Sequence, residues 1–255
     1  MTRQDHLIKF LVDNLKDRPG IKALYLKGSL ASGTGDVYSD VDFYCLVAPS
    51  YYEELLSIRE SFLVSYMPII YMSHVNFLHP QIVAIYDNNL HLDFYTTQDF
   101  DEVGKDDIKI LYDETNQLHH YKKQSRRDTP DVIIDHMSDV IYTFHELDIA
   151  IKREDHLWAM RLTSHILADI SLVLCTIYDR HKPVLHMKGV YHLIPDQIRV
   201  MIDSIINNMT IENRNTCINH IINLVDEVCL LLDDDMLDKL DRTYLDYIKK
   251  HIFIE

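Results

Sequence analysis

Two aspartates one residue apart, Asp40 and Asp42, open an apolar segment that continues to Val47. Successive side chains of a strand take opposite faces, so these two point the same way, roughly 7 Å apart. Val41, Phe43, Cys45 and Val47 take the other face and can fill a core. Two carboxylates on one face repel each other and are costly to strip of water. A bound divalent cation removes both objections, and Mg2+ favours carboxylates together with substrate phosphates. Upstream, the apolar segment Ile21 to Lys27 runs into Gly28-Ser29, and the ten residues Leu30 to Ser39 separate that turn from Asp40. Glycine there lets the backbone come close to a ligand. Asp99-Phe-Asp101 and Asp233-Asp234-Asp235 also crowd acids together, but they lack the Gly-Ser turn and read as solvated loop or helix-end charges.

A third carboxylate emerges from a separate pattern. Gln81 to Tyr86 is an apolar run, Asp87-Asn88-Asn89 is turn chemistry, and Leu90 to Tyr95 alternates. Asn tolerates positive φ, which suits a hairpin turn. Leu90, Leu92 and Phe94 form one face of the second strand, and His91, Asp93 and Tyr95 the other. A lone strand aspartate reads as a surface charge. Beside Gly-Ser and Asp-x-Asp, Asp93 becomes the third member of a set.

The combination of Gly28-Ser29, a Gly-rich spacer with Gly33, Gly35 and Ser39, then Asp40-Val-Asp42 and a later strand carboxylate resembles the nucleotidyltransferase superfamily that includes DNA polymerase beta. Within it, the chain resembles the aminoglycoside and lincosamide nucleotidyltransferases. The resemblance implies an α+β fold: an N-terminal polymerase-beta-like domain with a mixed sheet, followed by a C-terminal helical bundle. It implies a metal-dependent adenylyltransferase that moves AMP from ATP to an acceptor hydroxyl, with two Mg2+ ions. Asp40 and Asp42 would hold both ions, and Asp93 the one that activates the acceptor. The Ser29 hydroxyl and the amides of the helix after Gly28 would take the β- and γ-phosphates. A cation is also needed on the polyphosphate, and Lys188 is the first choice, with Lys182 and Lys27 behind it.

The elements that must position these groups follow from periodicity. Gln4 to Leu15 carries a helical stripe, Leu7, Ile8, Leu11, Val12 and Leu15, ended by Pro19-Gly20. Strands are expected at 21–27, 41–47, 69–77 and in the hairpin 81–95, an edge strand at 108–113, and a helix at 51–62. Residues 1–114 make the expected catalytic domain. Polar residues 115–130, with Lys122, Lys123, Arg126 and Arg127, are expected to be a linker. Residues 131–255 make a bundle of about five helices: one over Ile133 to Leu147, then 155–178, 195–207, 212–233 and 235–251. Arg153 to Arg161, Lys182 and Lys188-Gly189 look like the corresponding region of the antibiotic-modifying group.

Composition narrows the partners. The chain has 255 residues and a net charge of −15. That charge argues against a nucleic-acid surface, which needs clustered Lys and Arg. It suits a small cationic acceptor, whose approach a negative cleft accelerates. Cys45, Cys175, Cys217 and Cys229 lie in apolar contexts and read as reduced core residues, and none of the histidines shows metal-site spacing. The polar N-terminus lacks a signal-peptide core, and no apolar run is expected to approach the ~20 residues that span a membrane. A cytoplasmic monomer or homodimer is expected.

Glu146 and Asp169 are the candidate acceptor-binding or base residues of the bundle. Arg161, His165 and Asp169 recur every four residues and read as a solvated helix face, and Trp158 as a buried tryptophan. The alternative function is a nucleotidyltransferase of the toxin–antitoxin kind that modifies a protein or RNA, for which Arg180 and His186 have the spacing of a partner ribonuclease motif. A non-catalytic binding module is a third reading, which the intact carboxylate set opposes.

Overall fold

A computed structural model describes residues 1–76, 79–98, 106–121, 130–179 and 187–251. It divides into two compact units, Met1–Ser125 and Arg126–Glu255. Asp99, Asp101, Lys122, Lys123, Arg126, Arg127, Arg180, Lys182 and His186 lie outside the described residues.

The first unit begins with helix α1 (Arg3–Leu15), started by Thr2, whose hydroxyl accepts from the Asp5 amide while Asp5 accepts from the Thr2 amide. This reciprocal cap satisfies donors that a helix start leaves without partners. Then follow β1 (Ile21–Leu26), the short helix α2 (Gly28–Ser32), β2 (Val41–Val47), α3 (Tyr52–Val64), β3 (Ile69–Asn76), β4 (Pro80–Tyr86), β5 (His91–Thr97) and β6 (Lys109–Asp113). The strands form one mixed sheet in the order β3-β4-β5-β2-β1-β6, which puts β6 at an edge as expected. The β4–β5 turn places Asn89 at φ +58°, and the Tyr86 amide donates to Leu90 O at 3.0 Å. Every neighbouring pair is antiparallel except β2 and β5, which run parallel.

Val41, Phe43, Cys45 and Val47 of β2 and Leu92 and Phe94 of β5 share one face, covered by Leu7, Leu11 and Leu15 of α1 and Leu55, Phe62 and Leu63 of α3. Each fully buried side chain of this size contributes about 1.5–3 kcal/mol. Phe43 and Phe94 stack across the β2–β5 pair with ring centroids 5.7 Å apart. The opposite face carries the even-numbered residues of β2 and is partly covered by Leu118, which packs against Ala23, Tyr25 and Leu46.

The second unit is helical: α4 (Pro130–Lys152), α5 (His156–Tyr178), α6 (Asp196–Asn207), α7 (Arg214–Cys229), α8 (Asp234–Leu237) and α9 (Arg242–His251). Its core joins Met137, Phe144, Ile166, Ile170, Val173, Ile205, Ile221 and Val228. The single helix expected over 235–251 is two. Asp233 caps α8 through the Met236 amide and Asp241 accepts from the Tyr244 amide, so the chain restarts rather than continues. The sequence reading found no apolar run of membrane length, and α5 corrects it: by length and composition this helix is apolar enough to cross a membrane. In the fold, 67% of its apolar window is buried. All four cysteines are free thiols; Cys45, Cys175 and Cys217 are buried and Cys229 partly so.

Candidate active site

The parallel pair β2–β5 assembles the acidic residues. Its register sets Asp42 directly opposite Asp93, and Tyr44 opposite Tyr95. All four side chains therefore stand on the face away from α1 and α3. Asp40 immediately precedes β2 on the same side. One carboxylate oxygen each from Asp40 and Asp93 and one nitrogen of His91 lie within 4.8 Å of one another. Asp93 is held: Gln81 on β4 donates its Nε2 to Asp93 Oδ1 at 2.8 Å.

Gly28 begins α2 at φ +66°, beside Asp42. A Cβ built on Gly28 would stand 2.1 Å from Asp42 Oδ2, so only glycine leaves this carboxylate where it is. The Lys27 amide donates to Asp42 O at 3.1 Å, which ties the turn to β2. Ser29 follows on α2, and its hydroxyl donates to Ser39 Oγ at 3.0 Å.

The loop that carries Asp40 is fixed from below by α1. Gln4, only 2% exposed, directs its Nε2 at three carbonyls, Asp36 O at 3.2 Å, Val37 O at 3.3 Å and Ser39 O at 3.0 Å. Arg3 reaches Val37 O and Asn88 O, both at 2.8 Å, and so bridges the Asp40 loop to the turn before Asp93. Sequence reasoning missed this support because glutamine in a helix start carries no pattern. Gln4→Ala is expected to lower stability by about 1–2 kcal/mol, the cost of leaving carbonyls without their donor. Turnover should fall with it, because the backbone before Asp40 loses its tether. Urea unfolding and kcat measured on the same preparation check both.

The sheet face around the acids is aromatic. Tyr25, Tyr44 and Tyr95 stack in a row, with centroids 5.1 Å apart for the first pair and 4.3 Å for the second. Burial, then the charges of Asp93, Asp42 and Asp40, push the Tyr95 phenol up to about 12. Burial raises Tyr44 as well, with further contributions from Tyr95 and Asp42. Both stay protonated through the physiological range. Lys27 Nζ sits 4.7 Å over the Tyr44 ring and 3.6 Å from Asp106 Oδ2. It is therefore a cation on the site face of the first unit, whereas Lys188 is exposed in the second unit, next to Gly189.

His91 was also missed, although the period of two that places Asp93 on the polar face places His91 there too. Its Nε2 lies 3.3 Å from Asp93 Oδ1 and its Nδ1 4.0 Å from Asp40 Oδ2. His91 has no metal-motif spacing in the sequence, and the fold nonetheless brings it against both carboxylates.

In the second unit, a pocket of about 360 Å3 between α4 and α5 is lined by Asp139, Tyr142, Glu146, Trp158, Arg161 and His165, among others. Glu146 thus faces a cavity. Asp169 does not: it is buried behind the pocket, 3.0 Å from His136 Nδ1 and 3.5 Å from His165 Nε2. Arg161 and His165 of this stripe are exposed, as a solvated face would have them, and only Asp169 is buried, between two imidazoles. Trp158, expected to be buried, is 47% exposed, with its ring at the pocket.

Residues 8–128 match the model of the nucleotidyltransferase domain family. That span contains every strand of the sheet and Gly28, Ser29, Asp40, Asp42, His91 and Asp93. Among solved structures, the chain is similar to the crystal structure of an aminoglycoside 6-adenyltransferase from Bacillus subtilis, at 12% identity and a TM-score of 0.45, covering 98% of this chain and 97% of that one. It is also similar to a nucleotidyltransferase-like protein from Exiguobacterium sibiricum, at 12% identity and a TM-score of 0.39, covering 96% and 87%. No curated protein matches the chain.

Proposed function

We propose that residues 8–128, a nucleotidyltransferase domain, move AMP from ATP to a hydroxyl of a small cationic acceptor, an aminoglycoside or lincosamide. The observation that carries the reading is the in-register pairing of Asp42 with Asp93, which gathers three carboxylates on one sheet face. Their fit to divalent cations rests on this structure: an oxygen-rich donor set, a buried His91 Nε2 with no hydrogen-bond partner, and a glycine cradle that a Cβ would fill. Asp40, Asp42 and Asp93 are the residues that would hold the ions. Held there, divalent cations would supply positive charge to the attacking and leaving oxygens of an in-line displacement.

The chain's own residues prepare that displacement. Gly28 lets the triphosphate approach the backbone beside Asp42. Ser29 offers a hydroxyl donor at the start of α2, and Lys27 adds positive charge at the same edge, with Lys188 a further candidate from the second unit. Gln81 holds the Asp93 carboxylate in one orientation. Tyr44 and Tyr95, neutral and stacked, lie on the same sheet face as the carboxylates. The acceptor reading draws on net charge and on the α4–α5 pocket, where Asp139 and Glu146 outnumber Arg161 and the Tyr142 and Trp158 rings are accessible. Carboxylates beside aromatic faces suit a hydroxylated cation. Glu146 and Asp169 are the candidate acceptor-binding or base residues of this unit.

The test is transfer from α-labelled ATP to a panel of aminoglycosides, lincosamides, a candidate protein and tRNA. Labelled antibiotic supports the reading, and label on the macromolecules alone replaces it with the toxin–antitoxin function. ATP should also bind about tenfold tighter, or more, with Mg2+ than with chelator, since each like-charge contact at ~4 Å costs about 1 kcal/mol even in water and the carboxylates make several with the triphosphate. Calorimetry that finds equal affinities removes the aspartates from the metal site.

A further inference from the structure

We propose that His91 is itself a metal ligand, so that the site formed with Asp40 and Asp93 holds a divalent transition cation such as Mn2+ in preference to Mg2+. The inference rests on the reading of the carboxylates as metal ligands and adds a nitrogen to an oxygen set.

Three observations carry it. One nitrogen of His91 and one oxygen of each aspartate converge within 4.8 Å. Two ligands of one ion with bonds near 2.1 Å stand at most about 4 Å apart, so the cluster is within a small adjustment of a coordinating arrangement. Second, His91 makes no well-formed hydrogen bond through its Nε2. Its Nε2 is buried and has no hydrogen-bond partner, although Asp93 Oδ1 is 3.3 Å away. That oxygen already accepts from Gln81 Nε2 at 2.8 Å. A ring nitrogen that sits in ion-pair range of a carboxylate without a well-formed hydrogen bond can turn to an ion. Third, the position is fixed from both sides. β5 is hydrogen-bonded to β2 and β4 along its length, and Arg3 bonds Asn88 O in the turn that leads into it. Gln81 and the sheet orient the carboxylate, which is the outer support that ligands of a metal site need.

The choice of cation follows from ligand chemistry. Mg2+ demands a near-octahedral oxygen set and keeps several waters. Imidazole favours first-row transition cations, and Mn2+ is at home among carboxylates and water as well. One histidine among aspartates therefore tilts the site toward Mn2+ without excluding Mg2+.

The experiment titrates the full chain with Mn2+ alone and reads affinity by electron paramagnetic resonance. Pulsed measurement detects nitrogen bound to the ion. Mg2+ affinity is read by competition. The wild type should show nitrogen coupling to Mn2+. His91→Leu should lose that coupling and bind Mn2+ on the order of tenfold more weakly or worse, with a much smaller change for Mg2+. Circular dichroism melting confirms that the variant is folded, as expected for a side chain 40% exposed at a strand start. Mn2+ that binds with unchanged affinity in His91→Leu, or with coupling that persists there, overturns the assignment. In that case Asp93→Asn still weakens Mn2+ binding if the carboxylate reading holds. If neither variant changes Mn2+ binding, both readings fail.

Discussion

Asp42→Asn is expected to lower nucleotidyl transfer by at least about 10^3-fold, near 4 kcal/mol of transition-state stabilisation, because the residue is asked to hold cations that neutralise both reacting oxygens. The fold should survive, and the melting temperature should stay level or rise. Asp42 faces Asp93 across the β2–β5 pair, with Asp40 on the same side, so removing one charge relieves repulsion in the metal-free protein. The two measurements must be made on one sample. Wild-type turnover in this variant would remove Asp42 from the chemistry. A collapse in melting temperature would instead make Asp42 a structural residue, satisfied by the partners it has in the fold.

The second large effect separates backbone strain from site geometry. Gly28 and Gly33 have similar conformations, at φ +66° and +77°. An alanine at either position costs roughly 1–2 kcal/mol for left-handed backbone. Only at Gly28 would the new methyl meet something, Asp42 Oδ2 at 2.1 Å; at Gly33 nothing lies within 4 Å. Both variants should therefore lose at least this much stability, Gly28→Ala the more because Asp42 must also move. Gly28→Ala should lose turnover by on the order of 10^2-fold as Asp42 is pushed aside, since a displacement near 1 Å is enough for that. Gly33→Ala should keep most of its activity. Matched urea denaturation and steady-state kinetics decide the matter, and equal activity losses would show that the close approach at Gly28 has no catalytic meaning.

Much of the site was legible because it is written in local patterns. Asp40 and Asp42 share a face by alternation alone, and the hairpin around Asn89 follows from turn chemistry that the positive φ bears out. The parallel pairing of β2 with β5 is different. Nothing in either segment names its partner, since register comes from packing such as Phe43 on Phe94. His91 shared the pattern of Asp93 but has the spacing of no metal motif, because its companions come from another strand. Gln4 and Arg3 support the Asp40 loop through carbonyls, which leave no trace in side-chain chemistry. Trp158 was misjudged because size argues for burial, whereas on α5 it falls outside the apolar stripe. The break between α8 and α9 rests on Asp233 and Asp241 acting as caps in a stretch where aspartates are frequent.

The parallel β2–β5 pair also governs how the chain reaches its working state. Antiparallel β1–β2 and the meander β3-β4-β5 are each made of neighbours in sequence and can close early. The pair that joins them is long-range, and such contacts form late because a long intervening segment must first be ordered. Gly28, Asp40 and Asp42 belong to one half, His91 and Asp93 to the other. A folding intermediate that has completed either half holds an incomplete set of acids, and the mutual repulsion of the carboxylates is met only in the final docking step. Docking is driven by the aromatic and aliphatic face on the other side of the same strands. The full set of acids is thereby confined to chains whose sheet has fully closed.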